Sequence, residues 1–195
     1  MVVTSAEQGR ETRARLMDAA VELIAERGWG AVTTRMVAER AELRPGLVHY
    51  HFNSVNDLLI DASLRMVRAL ASDVLGEGLD RSGPAGLDRL LAAIAAYTVA
   101  EADTRVFSEM LLAATRYERL QEGLGVVLRE FRAAVAAWLR SSGSVPDPEA
   151  TAVVLVAALD GLILHRLIDP RLGELGVDGP LRRLTGMSGI GGDRR

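Results

Sequence analysis

The chain has 195 residues, a formal net charge of -3 and no cysteine. This length suffices for one domain with a sizeable core, or for a small domain joined to a larger one. The lack of cysteine excludes a disulfide framework, a thiol nucleophile and every zinc site built on cysteine. A slightly acidic chain has no overall attraction to nucleic acid, so a basic surface must be local. Such a surface is suggested near the N-terminus by Arg10, Arg13, Arg15, Arg35 and Arg44.

Three short helices are predicted in the first 53 residues. The first, over residues 11–27, has an apolar stripe at helical spacing formed by Leu16, Ala20, Leu23 and Ile24. Thr33 is a favoured N-cap for a second helix that extends to Arg40, and Pro45 is a favoured first residue for a third. A turn of about four residues separates the last two, which is the arrangement of a helix-turn-helix.

The rest of the chain also predicts helices. Ser54 and Asp57 have the spacing of a capping box that opens a fourth helix. Further helical segments are predicted over residues 87–101, 104–117, 120–139, 149–168 and 172–184. No segment alternates with the period of a strand, so the predicted class is all-α. The predicted organisation is a disordered arm (1–10), a helix-turn-helix domain (11–53), a larger helical bundle (54–185) and a disordered tail (186–195).

The segment RPGLVHYHF, residues 44–52, places two histidines around a tyrosine. On a helix with Val48 and Phe52 turned to the core, Tyr50 points outward. His49 and His51 are then separated by roughly 200° and cannot bind one metal ion. A helix that exposes aromatic and imidazole rings suits contact with DNA phosphates and base edges, although ordinary solvated side chains are the alternative.

The segment TTRMVAERAELRPGLVHYHFNSVNDLL, residues 33–59, resembles the DNA-binding region of the tetracycline-repressor (TetR) family of transcriptional regulators. Thr33, the Val37-Ala38 pair, Gly46, Tyr50 and the His51-Phe52 pair fall in register with the family pattern. The specific resemblance covers roughly residues 11–60. It implies a helix-turn-helix that binds an operator and a helical domain that holds an effector.

The resemblance also implies roles for individual residues. Arg35 and Arg44 are the expected base readers, because arginine to guanine is the commonest specific contact. Tyr50 and His51 are expected to contact phosphates or thymine methyl groups. The complete predicted DNA-binding set is Thr33, Thr34, Arg35, Arg44, Pro45, Gly46, Leu47, His49, Tyr50 and His51.

Three positions depart from the family pattern. Glu42 occupies a position that is often glycine, and Arg44 a position that often carries a small hydroxyl residue. Val55 replaces a lysine that would contact a phosphate from the fourth helix. The loss of that lysine predicts one phosphate contact fewer, without a change of fold.

The larger domain is expected to hold a small apolar or amphipathic effector and to form a homodimer. The candidate effector-binding residues are Met66, Leu70, Tyr97, Phe107, Met110, Tyr117, Phe131 and Trp138; core packing is the alternative for each of them. The apolar run over residues 151–159 is too short to span a membrane and predicts a helix buried against protein. Its candidate dimer residues are Val153, Val156, Ala157, Asp160, Leu162 and Leu164, for which a place in the core of a single chain is the alternative.

The predicted function is therefore a cytoplasmic, dimeric, ligand-responsive DNA-binding regulator, expected to repress from a palindromic operator. No cofactor, metal site, membrane association or catalytic residue is predicted. An enzyme is disfavoured because the serines lie in no nucleophile context and the GEGLDR segment lacks the features of a phosphate-binding loop. A helical adaptor that binds only protein is the alternative function.

Overall fold

The computed structural model describes residues 4–78, 84–99, 101–143 and 145–186. Within these ranges it contains no strand, and the all-α prediction is confirmed. The helices are α1 (Ser5–Arg27), α2 (Thr34–Arg40), α3 (Pro45–His51), α4 (Val55–Gly78), α5 (Pro84–Val99), α6 (Glu101–Ala114), α7 (Glu118–Ser141), α8 (Pro148–Ile168) and α9 (Asp178–Leu184). Two short 3-10 segments, Trp29–Ala31 and Pro170–Glu174, follow α1 and α8.

The start of α1 corrects the prediction of a disordered arm over residues 1–10 from Ser5 onward, and residues 1–3 lie outside the described residues. Thr4 and Glu7 form a capping box in which the Glu7 amide donates to the Thr4 hydroxyl at 3.3 Å and the Thr4 amide to the Glu7 carboxylate at 2.7 Å. These bonds satisfy amide groups that a helix start leaves unpaired. The helix therefore begins at Ser5, six residues before the predicted start at Glu11.

The described helices form two compact units. The first comprises residues Met1–Arg68 and Arg105–Leu124. It extends beyond the predicted helix-turn-helix domain, because α4 as far as Arg68, most of α6 and the first turns of α7 belong to it. Its core includes the predicted stripe of α1 and the inward residues of the next helices: Leu16, Ala20, Leu23, Ile24, Val37, Val48, Phe52 and Leu58.

The second unit comprises Ala69–Thr104 and Gly125–Arg195. Its core is formed by the end of α4 and by α5, α7, α8 and α9, through Val74, Leu87, Leu90, Val135, Leu139, Ala152, Leu155, Leu159 and Leu181. The predicted last helix over 172–184 is divided in the structure: the 3-10 segment ends at Glu174 and α9 begins at Asp178, with Gly176 between them. The predicted disordered tail lies outside the described residues from 187 onward.

Candidate nucleic-acid interface

The turn that joins α2 to α3 has a defined hydrogen-bond pattern. The Glu42 amide donates to the Glu39 carbonyl at 3.1 Å, and the Leu43 amide donates to the Ala38 carbonyl at 2.9 Å. This is the Schellman pattern of a helix end, which needs a residue in the left-handed region between the helix and the turn. That residue is Glu42, with φ of 54°, at the position where the family often has glycine. The turn forms with Glu42 in this position, but its backbone conformation costs free energy.

Arginines of α1 and α2 fix the turn against α1. The Arg15 guanidinium donates to the Ala41 carbonyl at 2.6 Å, which satisfies the residue that closes α2. Arg40 pairs with Glu22 at 3.0 Å and with Glu26 at 2.7 Å, both on α1. The Arg40 hydrogen bonds lower the pKa of the Glu26 carboxyl. These contacts fix the turn before α3 against α1 and α2.

The exposed side of α3 is the side that helical geometry predicted. Val48 is 1% exposed and Tyr50 is 81% exposed. Arg44, Pro45, Gly46 and His49 are also exposed, whereas Leu47 and His51 are half-buried. The Tyr50 ring meets the His51 ring edge to face, with 5.0 Å between the centroids. We call Arg44, Gly46, His49 and Tyr50 the recognition face.

The predicted DNA-binding residues at the start of α2 differ in exposure. Thr33 caps α2, accepting a hydrogen bond from the Met36 amide at 3.3 Å, as predicted. Thr34 is half-buried and Arg35 is exposed. Within the described part of the chain, neither Arg35 nor Arg44 forms an ion pair, so both guanidinium groups are available to an anion.

The arginines nearest the N-terminus have different roles, which sequence reasoning missed. Arg13 and Arg15 are directed into the first unit, to Asp61 and to the Ala41 carbonyl. Arg10 is exposed and forms neither an ion pair nor a side-chain hydrogen bond among the described residues. The partners lie 26 and 48 residues away along the chain, so no local sequence signal could have identified these roles.

The first turn of α4 carries no cation. Val55, its first residue, is half-buried. One half of the predicted capping box is present before it, because the Asp57 amide donates to the Ser54 hydroxyl at 3.0 Å, while the Ser54 hydroxyl donates to the Asp57 carboxylate at 2.9 Å. The lysine common in the family is therefore replaced by a side chain that cannot pair with a phosphate. Over the described residues, no group of His, Asp and Glu could hold a metal ion.

Comparison with known proteins gives this geometry a family. Residues 16–62 match the model described as bacterial regulatory proteins, tetR family, and residues 82–187 match the tetracyclin repressor-like C-terminal domain. The chain belongs to the TetR family. It is a DNA-binding transcriptional regulator, and the members of this family are not enzymes.

Individual relatives of this TetR-family chain extend over most of its length. It is 30% identical over 185 residues to the HTH-type transcriptional regulator TtgR of Pseudomonas putida, covering 87% of each chain. A solved transcriptional regulator from Rhodococcus sp. Rha1 is 25% identical, with a TM-score of 0.75, covering 90% of this chain and 95% of its own. A regulator from Saccharomonospora viridis, solved in complex with choline, is 22% identical with a TM-score of 0.72, covering 90% of this chain and 94% of its own.

The predicted effector-binding residues of this TetR-family regulator fall in both units. Met66, Phe107, Met110 and Tyr117 belong to the first unit, and Leu70, Phe131 and Trp138 pack in or against the core of the second. Met110 is fully buried. Tyr117 packs on Trp29 with ring centroids 5.8 Å apart, which gives it a role in the core of the first unit. The side chain of Tyr97 lies outside the described residues.

Helix α8 presents an apolar side that the single chain leaves uncovered. Val153 and Ala157 are exposed, Leu164 is half-buried, and Ile168 at the end of the helix is 84% exposed. We call Val153, Ala157, Leu164 and Ile168 the α8 face. Asp160 is half-buried at its border. The other two predicted dimer residues lie elsewhere: Val156 is buried in the core and Leu162 packs against it, because both are on the inward side of the helix.

Helix α8, expected from its sequence to be buried against protein, is only partly covered within the single chain. The helix continues past Asp160 to Ile168, and its 21 residues could cross a membrane by length and composition alone. Only 22% of its most apolar window is buried in the chain. A core helix of a soluble protein can meet the same criterion of length and composition.

Proposed function

We propose that this TetR-family regulator represses transcription as a homodimer that binds a palindromic operator and is released by a small apolar or amphipathic effector. The observation that carries the proposal is the recognition face. It combines the unpaired guanidinium of Arg44, at the start of a short helix, with the exposed imidazole of His49 and the exposed phenol of Tyr50 on that helix. Arg35 is also unpaired among the described residues. Such groups can pair with phosphates and guanine edges in the major groove.

The dimer is supported by the α8 face. Burial of apolar surface releases roughly 25 cal/mol per Å², so a helix with this much uncovered apolar surface gains from a partner. A second copy offers an identical face, as a two-fold interface requires. Two copies would place two α3 helices on half-sites of a palindrome. Ala157 and Leu164 would pack across the two-fold axis, with Val153 and Ile168 beside them.

Release by an effector is supported by the relatives. The Saccharomonospora viridis regulator was solved in complex with choline, so a protein of this fold binds a small molecule. The effector proposed for this chain is apolar or amphipathic, because aromatic residues make up only 4% of it and large planar cations bind by stacking on rings. Release requires that the effector bind one arrangement of the dimer more tightly than the other. Repression in the cytoplasm is proposed as the usual behaviour of the family.

The test is selection of bound sequences from random duplex DNA by the unmodified chain, followed by binding measurements with Arg44→Ala and Tyr50→Ala. We expect a palindromic motif. Arg44→Ala should weaken binding by about 5- to 150-fold and relax the preference at one base pair of each half-site, as loss of a bidentate base contact does. Glu174→Ala, an exposed change in the second unit, serves as the matched control. Recovery of no palindrome, or equal binding by all three variants, would contradict the proposal.

A further inference from the structure

Arg13 connects α1 to the end of the recognition helix. Its guanidinium carbon lies 4.7 Å from the centroid of the Phe52 ring, in the geometry of a cation-π contact. Phe52 is the residue that closes α3, because its amide donates to the Val48 carbonyl at 2.9 Å. Its ring is buried. Arg13 therefore contacts the residue that anchors α3 in the core.

Asp61 of α4 holds Arg13 in this place. One oxygen of the Asp61 carboxylate accepts from Arg13, and the other accepts from Arg119 of α7. Arg119 also pairs at 3.2 Å with Asp57, whose amide donates to the Ser54 hydroxyl at the start of α4. The Asp61 side chain is only 20% exposed, so water competes less for its oxygens than at an open surface. A single carboxylate thus joins α1, α4 and α7 next to the Phe52 ring.

Helix α3 has few means of its own to fix its orientation. It is seven residues long, its N-cap Arg44 makes no side-chain capping bond, and Val48 is its one fully buried residue. Its orientation consequently depends on the turn at its start and on Phe52 at its end. Arg15 and the Schellman hydrogen bonds fix the turn at the start of α3, and the Arg13 guanidinium packs on Phe52 at its end.

We propose that Asp61 is a positioning residue for DNA binding, which holds Arg13 against Phe52 and thereby sets the angle at which α3 presents the recognition face. Asp61 acts through Arg13 and does not itself contact α3 by hydrogen bond or ion pair. This inference rests on the proposed operator binding and deepens it. It differs from a general stabilising role, because a change of angle impairs base contacts and leaves attraction to phosphates intact.

The chain contains a matched control pair. Asp18 of α1 pairs with Arg65 of α4, so it joins the same two helices with the same residue types. Among the residues that the structure describes, no aromatic ring lies over the Arg65 guanidinium, and the Asp18 side chain is 65% exposed. Loss of this pair should therefore leave the orientation of α3 unchanged.

The experiment measures the dissociation constant of each variant for the duplex that the unmodified chain selects and for a scrambled duplex of equal length. Asp61→Asn is expected to weaken operator binding about tenfold, within the range that a misaligned base contact costs. Its affinity for the scrambled duplex and its dependence on salt should stay unchanged, because no phosphate contact is lost. Asp18→Asn should bind both duplexes as the unmodified chain does, and Asp61→Glu should restore operator binding.

A second comparison tests whether Asp61 acts through Arg13. Arg13→Leu should reproduce the effect of Asp61→Asn, and the double variant should be no weaker than either single variant. Arg13→Lys keeps the charge but lacks the planar guanidinium. It replaces Asp61→Asn in the comparison if that variant does not fold. Equal weakening on both duplexes with a lowered melting temperature, or operator binding unchanged in Asp61→Asn, overturns the inference. Failure of the unmodified chain to select any operator instead overturns the proposed function.

Discussion

The recognition face and the α8 face both expose apolar or aromatic groups, but they differ in the chemistry around those groups. Tyr50, Arg44 and His49 are exposed on the recognition face, and Arg35 at the start of α2 is also exposed. Val153, Ala157 and Ile168 are exposed beside further aliphatic residues. The first surface offers hydrogen-bond donors to a charged partner, whereas the second offers only aliphatic surface to an apolar one.

Each surface also has one acidic residue at its border, and the two acids are held differently. Glu42 precedes the recognition face, is exposed and occupies a left-handed backbone conformation. Asp160 borders the α8 face and is half-buried, and its burial raises its pKa. An acid near a DNA-binding surface costs affinity for an anion, whereas an acid near an apolar interface costs desolvation. The comparison of the two faces therefore predicts different effects for changes at each.

The largest effect is expected when the α8 face is made unfit for a second copy. Ala157→Glu places a charge on this face in each copy, at an exposed position where alanine makes little contact within the chain. Juxtaposed like charges cost several kcal/mol, so the dimer should dissociate, and affinity for the palindrome should fall by at least about 100-fold. Analytical ultracentrifugation and operator titration measure the two consequences.

Ala133→Glu is the matched control for that change. Ala133 is an exposed alanine on α7, beside the charged residues Arg129 and Glu130. The same substitution there should leave both the dimer and operator binding unchanged. Dimers of unchanged stability in Ala157→Glu would show that the α8 face is covered by something other than a second copy.

The sequence predicted the recognition face better than its support. The helical period placed Val48 inward and Tyr50 outward, because the orientation of a side chain on a short helix follows from the spacing of the apolar residues within that helix. The partners of Arg13 and Arg15 could not be predicted, since they depend on how α1 packs against α4 and the turn. On α8, a continuous apolar sequence could not distinguish Val156, which is buried, from Ala157, which is exposed. An all-round apolar helix lacks the polar side that would show its orientation.

An intermediate effect is expected at Asp160, at the border of the α8 face. Burial raises the pKa of its carboxyl from 3.8 to about 6, and the charge of Arg132 opposes this in part. The folded chain then binds the proton more tightly than the unfolded chain, so stability falls as the pH rises from about 4 to about 6. Asp160→Asn should remove this cost, raising the free energy of unfolding by roughly 2 to 3 kcal/mol at pH 7.5 and by little at pH 4.

Denaturant unfolding at both pH values and one fixed protein concentration measures the Asp160 effect, because the stability of a dimer depends on concentration. Glu174→Gln, at an exposed carboxylate of the same unit, is the control and should change stability little at either pH. An equal gain for Asp160→Asn at pH 4 and pH 7.5 would mean that repacking, and not desolvation of the carboxylate, determines the effect.

The smallest effect is expected at Glu42, at the border of the recognition face. Its left-handed conformation, with φ of 54°, costs a residue with a Cβ atom about 1 kcal/mol or more, and glycine avoids this cost. Glu42→Gly should therefore raise the free energy of unfolding by about 1 kcal/mol, measured by thermal unfolding. Glu42→Ala removes the charge but keeps the Cβ, so it should gain no stability. Any increase in affinity for scrambled DNA that comes from removing the negative charge should appear in both variants. If both variants gain stability equally, the acidic charge of Glu42, and not its backbone conformation, is what the turn has to accommodate.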